Sequence, residues 1–264
     1  MLWRGSVDRV SGLAVVALIL LGCNVPTTVS AGVIATIERI KGSIVAVGTY
    51  QRTRAPPFQF RGTGFAVGDG TLIATNAHVL PEAIDSEHRE ALAIVIPALG
   101  HDKGQLREAR TIVVDLETDL ALLKIDGDAL PALRIGDSNG VREGLEVMFT
   151  GFPLGAALGL YPATHGGMVS AITPIAMPPV RAADLDPKLV RRLAAGSFPV
   201  FQLDATAYPG NSGSPLCNIE TGEVLGIVNL VFVKGTKESA LTQPSGITYA
   251  IPAKHLQDLV QKVR

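Results

Sequence analysis

The stretch Tyr208-Pro209-Gly210-Asn211-Ser212-Gly213-Ser214-Pro215-Leu216 surrounds one serine with small and turn-forming residues, then runs back into apolar sequence. Gly210 and Gly213 allow backbone paths closed to other residues, so the turn can lift a hydroxyl clear of the strand that follows. It can also aim the amides of Gly210 and Ser212 at one point, as a developing oxyanion requires, which makes Gly210, Asn211 and Ser212 the candidate oxyanion turn. A serine hydroxyl alone is a poor nucleophile. The reading therefore needs a base to take its proton and a third group to orient that base.

His78 is the base candidate, in Thr71-Leu72-Ile73-Ala74-Thr75-Asn76-Ala77-His78-Val79-Leu80, where an apolar strand gives way to small residues and a short helical turn. The other four histidines lie in polar or helical surroundings (His88, His101, His255) or in a Gly-rich loop (His165). The orienting acid is Asp119, which opens Asp119-Leu120-Ala121-Leu122-Leu123-Lys124-Ile125; Asp115 is its rival. The order His78, Asp119, Ser212 is that of chymotrypsin-like proteases, and not of subtilisins or α/β-hydrolases.

Around these residues the chain reads as short β-branched runs separated by Gly, Pro, Asp and Asn. They are Ser43 to Tyr50, Gly64 to Val67, Thr71 to Thr75, Ala91 to Ile96, Thr111 to Val114 and Leu120 to Ile125, then Glu146 to Thr150, Met168 to Thr173, Val200 to Leu203, Val224 to Val233 and Ile247 to Ile251. Many short strands without alternating long helices predict an all-β protein. The turn-rich stretch Ile135 to Gly144 divides the runs into two similar halves, so the expectation is a pair of antiparallel barrels, about 32–135 and about 136–252. Ala253 to Val263 repeats Leu256, Leu259, Val260 and Val263 at helical spacing and should pack as a short C-terminal helix. A second short helix is expected at 184–195, with Asp186 as cap and Pro187 at the first helical position.

Gly62-Thr63-Gly64-Phe65, Thr75-Asn76-Ala77-His78-Val79, the Asp119 run and Gly210-Asn211-Ser212-Gly213-Ser214-Pro215-Leu216 together resemble the protease domain of the HtrA/Deg family. The resemblance continues through Gly151-Phe152-Pro153-Leu154-Gly155, Gly167-Met168-Val169-Ser170 and Tyr249-Ala250-Ile251-Pro252, and covers nearly all of residues 33 to 260. It implies a double antiparallel β-barrel of the chymotrypsin-like type, His78 and Asp119 coming from the first barrel and Ser212 from the second. It also implies serine endopeptidase activity on protein or peptide substrates and allows a homo-oligomer. Ser214 stands where that family usually has a second glycine, the 184–195 helix is extra, and a peptide-binding PDZ domain is not expected in the residues up to 264. Ser138, in Gly136-Asp137-Ser138, imitates a nucleophile turn but falls in the inter-barrel link and is read as structural.

Asn211 stands where proteases activated by zymogen cleavage carry an Asp, so activation by a freed amino terminus is not expected. Thr206, six residues before Ser212, puts no charge where basic-specific proteases carry an acid. Thr206, Ala207, Val228 and Asn229 are the candidate substrate-binding residues, with small or aliphatic P1 side chains preferred and Val224 to Asn229 offering an edge strand to extended substrate.

With 47% hydrophobic and 18% charged residues, the chain can bury a large core. Its formal net charge of −1 gives no electrostatic case for nucleic acid. Arg4 and Arg9 precede the apolar run Leu13 to Leu21, a secretory signal pattern too short for a membrane span. The small-x-small sequence Val29-Ser30-Ala31 favours cleavage after Ala31, giving an exported mature chain of 32–264; cleavage before Cys23 would give a lipid-anchored one. Cys217 is then the single mature cysteine, so no intramolecular disulfide is available. No metal-ligand spacing occurs among the histidines and cysteines, and no cofactor is called for. Two alternatives remain open: a catalytically silent, chaperone-like peptide-binding module on the same fold, and an acyl hydrolase using the same three residues.

Overall fold

The computed structural model describes Met1 and residues 28–98, 104–157, 159–174, 198–230 and 246–263. The 184–195 helix expectation, Cys23 and most of the expected leader lie outside them. Twelve strands follow one another: β1 (Ile44–Tyr50), β2 (Phe58–Val67), β3 (Leu72–Asn76), β4 (Ala91–Ile96), β5 (Gln105–Asp115) and β6 (Leu120–Ile125), then β7 (Glu146–Gly151), β8 (Ala163–Pro174), β9 (Pro199–Asp204), β10 (Pro215–Asn218), β11 (Val224–Asn229) and β12 (Ile247–Pro252). Each set of six closes into an antiparallel barrel. The first runs β1-β2-β3-β6-β5-β4 and closes back on β1, and the second repeats this order from β7 to β12. Closure removes the free edges that an open sheet would expose.

The all-β double-barrel expectation is met. β5 and β8 are longer than the apolar runs that announced them because both strands are largely partly exposed or exposed, so the hydrophobic signal marks only part of each. Two of the barrels' interiors form separate clusters, around Val45, Ile73, Ile94 and Leu123 in the first and Phe149, Val169, Leu203 and Val228 in the second. A third cluster joins them, with Phe65, Leu120 and Leu122 against Met148, Phe152, Ile227 and Ile251. Fully burying such side chains stabilises by roughly 1.5–3 kcal/mol each. The barrel-barrel geometry is therefore held by the same apolar force as the barrels.

Helix α2 (Ala253–Gln261) follows β12 directly and buries Ala253, Leu256, Leu259 and Val260 in the shared cluster. Its first turn receives Ser138, whose Oγ accepts the Lys254 amide at 3.0 Å, so Ser138 does serve the inter-barrel link as a helix-capping acceptor. The sequence reading placed no helix before the first strand, yet α1 spans Thr28–Lys41. Thr36, Ile37 and Ile40 recur on one face, and that face lies against the β10–β11 turn. The Thr36 hydroxyl donates to Glu220 O at 3.1 Å, Arg39 donates to Thr221 O at 2.6 Å, and Ile40 is fully buried. Basic residues in the last turn favour the helix's negative end. α1 thus anchors the chain on the second barrel before β1 begins the first.

Candidate active site

Asn76 ends β3 and a single 3-10 turn, Ala77–Val79, carries His78 out of it. The Arg61 guanidinium holds that turn's exit, donating from Nε to Val79 O at 2.7 Å and from Nη2 to Leu80 O at 3.1 Å. Asp119, just before β6, sits in the left-handed region at φ 55°, where a short polar side chain is among the few tolerated. Its carbonyl takes the Ala77 amide and the Asn76 side-chain amide, both at 3.0 Å, which pins the two segments together.

The Asp119 carboxylate then meets His78 twice. Oδ1 accepts the His78 backbone amide at 2.9 Å and Oδ2 lies 2.6 Å from Nδ1. Such a contact selects the tautomer that carries the proton on Nδ1 and leaves Nε2 as acceptor. Among the described residues the carboxylate of Asp115, the rival, accepts only the Glu117 and Thr118 amides of its own turn. A third donor reaches Asp119 from the second barrel: Asn229 Nδ2 donates to Oδ2 at 2.6 Å. The imidazole keeps about a third of its surface exposed (31%).

Ser212 lies in the second barrel's turn before β10, nearly buried. The five successive carbonyls from Tyr208 to Ser212 are occupied. Tyr208 O takes the Asn211 amide (2.9 Å), Pro209 O the Leu154 amide (2.7 Å), Gly210 O the Thr63 hydroxyl (2.7 Å), Asn211 O the Ser214 amide (3.0 Å) and Ser212 O the Thr63 amide (2.9 Å). A trans peptide points its N–H opposite its C=O, so tying the Pro209 and Asn211 carbonyls fixes the directions of the Gly210 and Ser212 amides. Among the described residues those two amides have no acceptor. Asn211 does not join them as a donor, because its own amide closes the turn onto Tyr208; the candidate three-residue turn presents two free N–H groups among the described residues. No hydrogen bond joins Ser212 Oγ to His78 among the described residues. Apo sites are often loose at this contact and tighten when substrate arrives.

The Asn211 side chain is fully buried, and neither of its amide atoms has a partner among the described residues. A carboxylate there would leave a buried charge needing a cation, at a cost of several kcal/mol. The uncharged residue suits a site with no such cation.

The expectation that Val224 to Asn229 offers a free edge is corrected. β11 is not an edge strand: β10 pairs with one side of it and β12 with the other. Val228 is fully buried, with its amide on Ser214 O and its carbonyl taken by the Gly213 amide. Asn229 is fully buried and spends its amide on Asp119. The continuous apolar run from Val224 to Val228 fits an edge or a central strand equally well, and only pairing decides between them. Thr206 and Ala207 remain partly exposed beside the turn, and the fully buried Thr248 hydroxyl holds them in place, donating to Ala205 O at 2.7 Å and accepting the Ala207 amide at 3.1 Å. Among the described residues no group of three or more potential ligands could hold a metal ion.

Two six-stranded antiparallel barrels, with a His–Asp pair on one facing a serine turn on the other, define the chymotrypsin-like class of serine peptidases. The trypsin-like peptidase domain family matches residues 62–227. Similar proteins include the probable periplasmic serine endoproteases DegP-like of Halomonas elongata (30% identical over 204 residues, 77% of this chain and 35% of that protein) and of Marinomonas sp. (31% over 216 residues, 80% and 38%). Human serine protease HTRA4 is 29% identical over 235 residues, 86% of this chain and 40% of its own. The chain belongs to the trypsin-like peptidase domain family and is homologous to DegP/HtrA serine endoproteases over that domain. It spans between a third and two fifths of the length of these relatives.

Proposed function

We propose that this chain hydrolyses peptide bonds through Ser212 as nucleophile, His78 as general base and acid, and Asp119 as the group that orients His78. The observation that carries the reading is the pairing of an anchored His78–Asp119 couple with two unpaired amides, Gly210 and Ser212, beside the serine. His78 takes the Ser212 proton as Oγ attacks the carbonyl carbon, and the two amides receive the resulting oxyanion. The protonated imidazole then gives the proton to the leaving amine, an acyl-enzyme forms, and water releases it by the same steps. Asp119 stabilises the imidazolium while it exists.

Thr206 places no charge in the pocket region beside the turn, which supports small or aliphatic P1 side chains; cleavage after Lys or Arg in a peptide library overturns that preference. The leader pattern and the periplasmic naming of the relatives support export, and mass spectrometry of the N-terminus of protein recovered outside the cytoplasm tests cleavage after Ala31 against lipidation at Cys23. The open Ser212–His78 contact favours one competing reading, a silent or gated peptide-binding module.

The deciding test is intact-mass labelling with a fluorophosphonate beside Ser212→Ala, followed by casein digestion. One adduct, lost in the variant, together with casein cleavage is expected. A native protein that stays unlabelled across neutral pH overturns the protease assignment in favour of the silent module, and labelling without casein cleavage favours an esterase.

A further inference from the structure

Thr63 belongs to β2 of the first barrel, yet three of its hydrogen bonds hold the second barrel's site. Its amide donates to Ser212 O at 2.9 Å, its hydroxyl donates to Gly210 O at 2.7 Å, and the same oxygen accepts the Phe152 amide at 3.1 Å. Its carbonyl in turn accepts the Thr75 hydroxyl at 2.7 Å, so the residue is fixed from its own barrel as well. The side chain is fully buried and its single donor is spent on the turn.

The two partners of the hydroxyl are the two parts that make the oxyanion site. Gly210 belongs to the turn. Phe152 begins the segment whose Leu154 amide ties Pro209 O and thereby aims the Gly210 N–H. Gly210 sits at φ 103°, a conformation that glycine leaves easily because no side chain restricts it. Without an outside tether the peptide between Pro209 and Gly210 has an alternative orientation, carbonyl toward the site, which would cancel the oxyanion pocket.

We propose that Thr63 is a positioning residue: its hydroxyl clamps the Gly210 turn to the Phe152–Gly155 segment from across the barrel interface and so keeps the oxyanion amides aimed when the cleft is empty. The proposal rests on the serine-protease reading above. The same clamp makes the site depend on correct docking of the two barrels, since either barrel alone lacks one side of it.

Thr63→Val keeps the shape and removes the hydroxyl, Thr63→Ser keeps the hydroxyl and removes the methyl, and Thr63→Ala is the fallback if valine prevents folding. Removing one oxyanion donor outright lowers kcat by about 100- to 1,000-fold. Losing the support of the donors should cost less, about 10- to 100-fold in kcat and in fluorophosphonate labelling rate, with KM within about 3-fold. Thr63→Ser should recover most of the rate, and hydrogen exchange over residues 205–216 should rise in Thr63→Val but not in Thr63→Ser. If Thr63→Val, or Thr63→Ala where valine does not fold, labels and turns over like the native chain, the clamp is refuted while the protease reading stands. Equal losses in the serine and valine variants, tracking their melting temperatures, refute it in favour of plain packing. An unreactive native protein sinks the protease reading and the proposal with it.

Discussion

Asn229→Ala tests whether the second barrel helps to hold the acid of the first. The amide donates to Asp119 Oδ2 at 2.6 Å, and both residues are buried. A hydrogen bond to a charged group contributes about 1.5–3 kcal/mol, and a buried acceptor that loses it bears the desolvation cost. Asp119 keeps two donors after the change, the His78 amide and Nδ1. The loss should therefore fall at the lower end, about 1.5 kcal/mol, which corresponds to a fall of about 10-fold in kcat/KM. The deficit should appear in kcat, because Asn229 is fully buried and has no surface to offer substrate. Steady-state hydrolysis of a fluorogenic peptide, with fluorophosphonate labelling as the substrate-independent check, measures it, and Asn229→Ser should restore part of the rate. A kcat within twofold of the native value refutes the argument. A rise in KM at unchanged kcat refutes it differently, by returning Asn229 to the role of a substrate contact.

Gly210→Ala places a methyl group on a residue at φ 103° and inside van der Waals contact of Phe152 O, so labelling at Ser212 should fall by at least about 100-fold while circular dichroism stays native. Glu90 is held at a pKa of about 2, below its ordinary 4.5, by the Thr49 hydroxyl, the Asp85 amide and Arg54. A depressed carboxylate stabilises the fold above its ordinary value and loses that contribution as pH falls toward about 2, so Glu90→Gln should flatten acid unfolding there by about 1–2 kcal/mol after solvent screening, as read from urea midpoints at several pH values. Burial lowers the pKa of His165 and of His255, and unfolding lets both take protons. Stability should therefore decline as pH drops below their ordinary 6.5, and His165→Phe should lessen the decline in thermal melts. Burial pushes the Cys217 thiol up to about 12, so it should stay unreactive to a thiol reagent until the protein unfolds.

Apolar runs located the strands because their side chains meet the barrel cores: Ala91–Ile96 and Leu120–Ile125 have the bounds that their apolar runs indicate. β11 is buried along its whole length and β10 at all but Asn218, and the sequence signal in β11 is a continuous apolar run without a direction. That is why the run from Val224 could be read as an edge. α1 escaped notice because a leader pattern covers its first residues and because its face is a mixed one, Thr36 between Val33, Ile37 and Ile40.

Sequence alone determined the two-barrel class and the order of His78, Asp119 and Ser212, since both follow from local apolar patterning and from turn residues whose backbone needs are intrinsic. Tertiary structure alone decided that Asn229 faces Asp119, that Thr63 reaches Gly210, and that Val228 is fully buried. Those contacts join residues 110 and 147 positions apart for the first two, across an interface set by packing of large apolar side chains. No local pattern encodes the register in which two closed barrels meet.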